Sequence, residues 1–123
     1  MILCDTNVLI EAFKGNEKII RKIDQLGIEN IGISSVTVME LYYGALNKRE
    51  LNKIKKEIDA LTIVHFSNAI SKSAVSLIEN YGKSHGLQIP DAIIAATALS
   101  LESKLLTLNI KDFQFINGIS LQW

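Results

Sequence analysis

Short apolar runs alternate along this chain with longer segments in which apolar residues recur at helical spacing. The runs predict buried strands, because a short stretch of consecutive apolar or β-branched residues suits a strand covered on both sides. Four such runs lie at residues 1–4, 31–33, 61–64 and 105–107, and a weaker fifth lies at 119–121.

Helices are predicted between these strands, over residues 6–13, 19–26, 34–46, 50–60, 69–83 and 90–103. Thr6 or Asn7 is suited to cap the first helix, and Ser34 or Ser35 the third. Pro90 opens the last one, where its missing N–H costs nothing. Alternating strands and helices imply a parallel sheet covered on both faces. Ligands of such sheets bind beyond the carboxyl ends of the strands, and Asp5 directly follows the first strand.

Composition fits one globular domain over residues 1–123, with 48% hydrophobic and 21% charged residues. There is no internal repeat, no recognisable leader and no apolar run near the roughly 18 residues of a membrane span. The single cysteine, Cys4, lies in an apolar strand pattern and is interpreted as a buried small hydrophobe. These features argue against a membrane protein or a disulfide scaffold and favour a cytoplasmic protein.

Three stretches, residues 1–10, 30–47 and 84–101, contain one charged residue each, and all three are acids: Asp5, Glu40 and Asp91. Each acid alone has an ordinary explanation. Asp5 can cap a helix, Asp91 in a first turn suits the helix dipole, and Glu40 can face solvent beside the small or polar Thr37, Gly44 and Asn47.

Together the three acids point to a shared site. The helix after Asp91 is apolar almost all round and therefore buried, so an acid at its start must be paired, protonated or metal-bound. If the acids converge, two charges about 4 Å apart repel by roughly 4 kcal/mol at an effective dielectric of about 20. An oxygen-only site would select Mg²⁺ or Mn²⁺. The two histidines, His65 and His85, lack zinc-like spacing and are interpreted as loop or surface residues.

Four segments resemble, in order, the conserved motifs of the PIN-domain nucleases. They are DTNVLI at residues 5–10, SVTVMEL at 35–41, IPDAIIAA at 89–96 and LTLNIKDF at 106–113. The match spans nearly the whole chain, and its size and pattern are most similar to the VapC-type toxins of bacterial toxin–antitoxin pairs.

This resemblance implies a three-layer α/β/α sandwich with a central, mostly parallel sheet of about five strands. It implies Mg²⁺- or Mn²⁺-dependent cleavage of RNA, a cognate antitoxin partner and a homodimer. The resemblance places Asp5, Glu40 and Asp91 on the metal site, and we take Asp112 as the fourth acid. Side chains expected to orient or supplement these carboxylates are Thr6, Asn7, Thr107 and Asn109.

The charges balance, with 13 basic and 13 acidic residues. Without the four site acids, however, nine acids remain against 13 basic residues, which leaves an excess of positive charge for a phosphate partner. The densest basic run could flank an RNA cleft or could be a solvated helix face; it consists of Lys48, Arg49, Lys53, Lys55 and Lys56.

Rival interpretations remain open at this point. The chain could be a stand-alone RNA-processing or quality-control nuclease, or a non-catalytic RNA-binding module with a degenerate site. An aspartyl phosphatase is disfavoured, because Asn7 stands where such enzymes usually offer a second Asp. An antitoxin would need an apolar groove, for which the candidate residues are Leu9, Phe13, Leu41, Tyr42 and Tyr43.

Overall fold

Five parallel strands form a single sheet with the order β3-β2-β1-β4-β5 in the computed structural model, which describes residues 1–123. The strands are β1 (Ile2–Cys4), β2 (Ile31–Ser34), β3 (Thr62–Val64), β4 (Lys104–Leu106) and β5 (Leu121–Gln122). β1 is central, and Leu3 and Cys4 are fully buried because both of their faces are covered. The predicted parallel α/β fold is confirmed.

Six helices cover the two faces of this sheet and make the expected three layers. They are α1 (Thr6–Phe13), α2 (Glu17–Leu26), α3 (Ser35–Tyr43), α4 (Lys48–Glu57), α5 (Asn68–His85) and α6 (Ile89–Leu101). Short 3₁₀ helices lie at Ile28–Asn30 and Ile110–Asp112. No helix is both long enough and apolar enough to cross a membrane.

Two hydrophobic clusters form the core, one on each face of the sheet. Successive residues of a strand point to opposite faces, so Leu3 and Leu105 pack with α5 and α6, whereas Cys4 and Leu106 pack with α1, α2 and α3. Burial and, secondarily, the charge of Asp5 raise the pKa of the Cys4 thiol to about 12. Cys4 therefore acts as the small buried hydrophobe that the sequence predicts.

Most element boundaries differ from the predicted ones by a few residues, and caps explain several of the differences. Asp5, rather than Thr6 or Asn7, caps α1. Asn47 caps α4 by accepting from the Glu50 N–H at 2.9 Å, so this helix starts earlier than expected. It also ends earlier, at Glu57. The fifth strand lies at Leu121–Gln122, one or two residues later than its apolar pattern indicated.

Candidate active site at the carboxyl end of the sheet

Asp5 lies at the carboxyl end of the central strand, and both of its carboxylate oxygens are hydrogen-bonded. Its Oδ1 accepts from the Thr6 backbone N–H at 2.8 Å, and its Oδ2 accepts from the Thr107 hydroxyl at 2.9 Å. The side chain is only 4% exposed. Asp5 thus caps α1, which is the ordinary explanation for an acid at this position. It is also a buried acid whose carboxylate is held in one orientation.

Thr107 reaches Asp5 because β1 and β4 are neighbours in the sheet. Cys4 pairs with Leu106, so the next residue of each strand emerges at the same edge. The Thr107 hydroxyl accepts from the Asn109 backbone N–H at 3.0 Å and gives its single proton to Asp5. Asn109 therefore supports the site through its backbone, by fixing the hydroxyl of Thr107.

Glu40 is connected to the same edge through two threonines. The Thr6 hydroxyl donates to Glu40 Oε1 at 2.8 Å and lies 3.0 Å from the Thr37 hydroxyl. Because the one proton of Thr6 goes to Glu40, Thr37 must donate to Thr6. Glu40 itself is exposed, but Thr37 is fully buried. The expectation that Thr37 shares a solvated face with Glu40 was wrong, and its role in the network was missed.

Asp91 and Asp112 complete a group of four acids. Asp91 lies in the first turn of α6 and is half-buried, and Asp112 ends the 3₁₀ helix that follows β4. Burial, followed by the charges of Asp5, Asp112 and Glu40, raises the pKa of Asp91 to about 6. All three other acids therefore lie within electrostatic range of Asp91.

The pKa of the Asp5 carboxyl is also raised, by opposing effects of unequal size. Burial raises its pKa and outweighs the hydrogen bonds from Thr107 and Thr6, which lower it; the charges of Glu40 and Asp112 raise it further. No basic side chain compensates the group. The two ion pairs of the structure, Lys14–Glu11 and Arg21–Glu17, lie elsewhere on the surface.

The donor set fits a hard divalent cation. It consists only of carboxylate and hydroxyl oxygens, and it carries negative charge that no Lys or Arg neutralises. No three Asp, Glu, His or Cys side chains lie close enough to share one ion directly. Mg²⁺ does not need such a cage, because it keeps several waters and binds through one or two carboxylates.

Only some of the remaining predicted site residues lie near the four acids or the groove beside them. Asn7 is exposed and takes no part in the hydrogen-bond network around Asp5. All five basic residues are exposed on α4, but only Arg49 and Lys53 line the groove that Glu40 also lines. Lys48, Lys55 and Lys56 do not line it.

This groove has a volume of about 890 Å³ and runs between α1, α3 and α4. Of the five apolar residues expected to form a partner groove, Phe13 and Leu41 line it. Leu9 instead is buried in the core, and Tyr42 packs against the same core. Tyr43 is 94% exposed outside the groove.

Without metal, the raised pKa of Asp91 should make the fold less stable as the pH rises. Its carboxyl ordinarily titrates near 3.8 and titrates near 6 in the fold, so the native state binds more protons across this window. The free energy of unfolding should therefore fall as the pH rises from about 4 to 6. After allowance for solvent screening of a half-buried group, we expect Asp91 to account for about 1 kcal/mol of this fall.

Urea unfolding of the parent and of Asp91→Asn in EDTA at several pH values between 4 and 7 measures this contribution. The variant should lose less stability with rising pH than the parent. Asp24→Asn, which alters an exposed acid of α2, should match the parent. Equal pH slopes for all three proteins would contradict an unfavourable charge at Asp91.

Comparison with known proteins identifies related chains. Residues 2–116 match the PIN domain family. Toxin FitB of Neisseria gonorrhoeae is 32% identical over 111 residues, covering 80% of each chain. Ribonuclease VapC3 of Methanocaldococcus jannaschii is 33% identical over 93 residues, covering 75% of this chain and 92% of the relative. The crystal structure of VapBC2 from Rickettsia felis, bound to a DNA fragment from their promoter, superimposes with a TM-score of 0.85 at 28% identity, covering 100% and 99% of the two chains.

Proposed function

The chain belongs to the PIN domain family, and we propose that it is a Mg²⁺-dependent endoribonuclease that serves as the toxin of a toxin–antitoxin pair. Relatives named as a toxin and as a ribonuclease support the nuclease activity. The observation that carries the metal dependence is the group of four acids with raised pKa values at Asp5 and Asp91 and no basic partner.

In this proposal Asp5 and Asp91 would hold the metal, and Glu40 would contribute directly or through water. When bound, a divalent cation lowers the pKa of a water ligand and neutralises charge on the phosphate oxygens. Mn²⁺ would satisfy the same oxygen donors. The protein supplies the orientation: Thr107 and the Thr6 N–H fix Asp5, and the Thr6 hydroxyl fixes Glu40. Asp112 adds negative charge at the same edge.

The test is cleavage of a single-stranded RNA by the purified protein, with the ends of the products identified. Cleavage in Mg²⁺ or Mn²⁺ that stops in EDTA, with 5′-phosphate and 3′-hydroxyl ends, is the expected result. A protein that binds RNA but leaves it intact in both metals would instead be the non-catalytic RNA-binding module.

An antitoxin is the proposed protein partner. The similar structures include a toxin–antitoxin complex from Klebsiella pneumoniae, with a TM-score of 0.82 and 32% identity, and VapBC2 from Rickettsia felis. A small protein encoded next to this chain that co-purifies with it and inhibits cleavage would support the toxin assignment. An active enzyme with no such neighbour would be the stand-alone RNA-processing nuclease.

A homodimer is proposed from the resemblance alone. The groove between α5 and α6 gives it a candidate surface, because it is lined by eight hydrophobic residues, of which Val75 and Ile89 are 65% and 67% exposed. Light scattering of the purified chain tests this proposal, since a monomer at all accessible concentrations would contradict it.

The groove lined by Glu40 divides the five basic residues of α4 into two groups, for which we expect different effects on RNA binding. Arg49 and Lys53 line it, so Arg49→Ser with Lys53→Ser should weaken RNA binding and reduce its salt dependence. With about 0.7 counterions released per phosphate contact, the slope of log K against log salt should change by about 1.4.

Lys55→Ser with Lys56→Ser is the matched control, because it removes the same formal charge from the same helix outside the groove. Fluorescence anisotropy with a labelled RNA at several salt concentrations gives both slopes. Equal slopes for the two double variants would mean that the groove does not hold the RNA backbone.

A further inference from the structure

Three aromatic rings from two separate segments of the chain lie close together. Tyr81 and His85 lie on the last turns of α5, and Phe115 follows the 3₁₀ helix that carries Asp112. The rings of His85 and Phe115 are stacked, with centroids 4.4 Å apart and planes inclined by 14°. Tyr81 lies 5.6 Å from His85 and 5.3 Å from Phe115.

These distances leave one face of His85 uncovered by the other two rings. If Tyr81 covered the face opposite Phe115, the rings of Tyr81 and Phe115 would be separated by far more than the observed 5.3 Å. Tyr81 therefore lies beside the stacked pair. Tyr81 and Phe115 are half-buried and pack against the core, whereas His85 is exposed. The outer face of the imidazole is thus available to a flat ligand.

Hydrogen bonds hold this imidazole in place. The Ser84 hydroxyl lies 3.2 Å from the Asn80 carbonyl, to which it can donate, and 2.7 Å from His85 Nδ1, with which it shares a hydrogen bond. Tyr81 is fixed in turn, because its hydroxyl accepts from the Asn117 backbone N–H at 3.2 Å.

The two stacked residues lie close in the sequence to two of the four acids. Phe115 follows Asp112 by three residues, and His85 precedes Asp91 by six. Since an extended chain spans at most about 3.6 Å per residue, Phe115 is within about 11 Å of Asp112 and His85 within about 22 Å of Asp91, measured between Cα atoms. An RNA strand held at the acids can therefore extend to the stacked pair within a few nucleotides.

We propose that the exposed face of His85, backed by Phe115, stacks an unpaired base of the RNA substrate a few nucleotides from the bond that is cleaved. The proposal rests on the proposed ribonuclease function and adds a substrate-positioning residue to it. Aromatic side chains, His among them, commonly stack the splayed bases of single-stranded RNA. Every base offers a flat face, so such a contact selects single-stranded RNA without reading its sequence.

The test is steady-state cleavage of a short single-stranded RNA by the parent and by His85→Ala. A lost stack should raise KM about fivefold or more and leave kcat unchanged. His85→Phe keeps a ring and should retain the KM of the parent. His65→Ala, which removes the other exposed histidine, is the control and should behave as the parent does.

Substrates with one abasic nucleotide at each of the flanking positions identify the stacked base. At one position the abasic substitution should raise KM for the parent but add nothing for His85→Ala, because the same contact is already lost. Should His85→Ala loosen the C-terminal segment, His85→Gln, a polar residue without a ring, must give the same pattern.

Failure of this proposal is distinct from failure of the proposed function. A parent that cleaves RNA while His85→Ala has the same KM overturns the stacking proposal alone. A fall in the kcat of His85→Ala without a rise in its KM also overturns the stacking proposal. So does a result in which, at every abasic position, the effect of the abasic nucleotide adds to the effect of His85→Ala. A parent that cleaves no RNA in Mg²⁺ or Mn²⁺ overturns the ribonuclease proposal and the stacking proposal with it.

Discussion

Asp5→Asn is expected to lower RNA cleavage about 100-fold or more while leaving the fold intact. The substitution removes one negative charge from the four acids, and a bound cation contributes several kcal/mol to the stability of the transition state. The fold should survive because Asn is as good a helix cap as Asp. Its Oδ1 can still accept from the Thr6 N–H, and its amide can donate to the Thr107 hydroxyl.

Stability measured beside activity separates a metal ligand from a structural acid. In EDTA, Asp5→Asn should melt at the same temperature as the parent or higher, since a repulsive charge has been removed. The control is Asp24→Asn, which alters an exposed acid outside the group and should keep full activity. Wild-type cleavage by Asp5→Asn, or a large loss of its stability without metal, would contradict the proposed role of Asp5.

Local sequence patterns were sufficient to predict the elements and the most prominent acids. Asp5, Glu40 and Asp91 each interrupt a stretch that is otherwise free of charge, and such an interruption is visible without any knowledge of the fold. The parallel sheet follows from the alternation of strands with helices. The structure places these acids close enough for the charge of Glu40 to raise the pKa of Asp5 and for the charges of Asp5 and Glu40 to raise that of Asp91.

Contacts between distant segments could not be predicted from these patterns. The hydrogen bond from Thr107 to Asp5 spans 102 positions of the chain and depends on β4 lying next to β1. Thr37 looked like a neighbour of Glu40 on a solvated face, because nothing in its own helix shows that it is fully buried and hydrogen-bonded to Thr6 of α1. Only the helix arrangement reveals that Arg49 and Lys53 line the groove and Lys55 and Lys56 do not.

The fourth site group illustrates the same limit. The sequence offers both Asn109 and Asp112 near the end of β4, and a motif alone does not say how the chain turns there. The turn into the 3₁₀ helix Ile110–Asp112 directs the Asn109 N–H to Thr107. It also brings the charge of Asp112 within range of Asp5 and Asp91. The two residues therefore have different roles.

Thr107→Val should lower cleavage about 10- to 100-fold, although Thr107 contacts no metal or RNA in the proposed mechanism. The change keeps the shape of a fully buried side chain and deletes the hydroxyl that orients Asp5. Losing a group that orients a metal-binding carboxylate typically reduces activity or metal affinity by this factor. It also leaves the Asn109 N–H and Asp5 Oδ2 without a partner, at a cost to stability of about 1–3 kcal/mol.

Thr97→Val separates loss of orientation from loss of stability. Thr97 is equally buried, but its hydroxyl donates at 2.7 Å to the Ile93 carbonyl of its own helix. This variant should therefore lose some stability and keep its activity, whereas Thr107→Ser, which retains the hydroxyl, should recover most of the cleavage. If Thr107→Val and Thr97→Val reduced cleavage equally, the effect would reflect a weakened core, and the bond from Thr107 to Asp5 would have no specific part in catalysis.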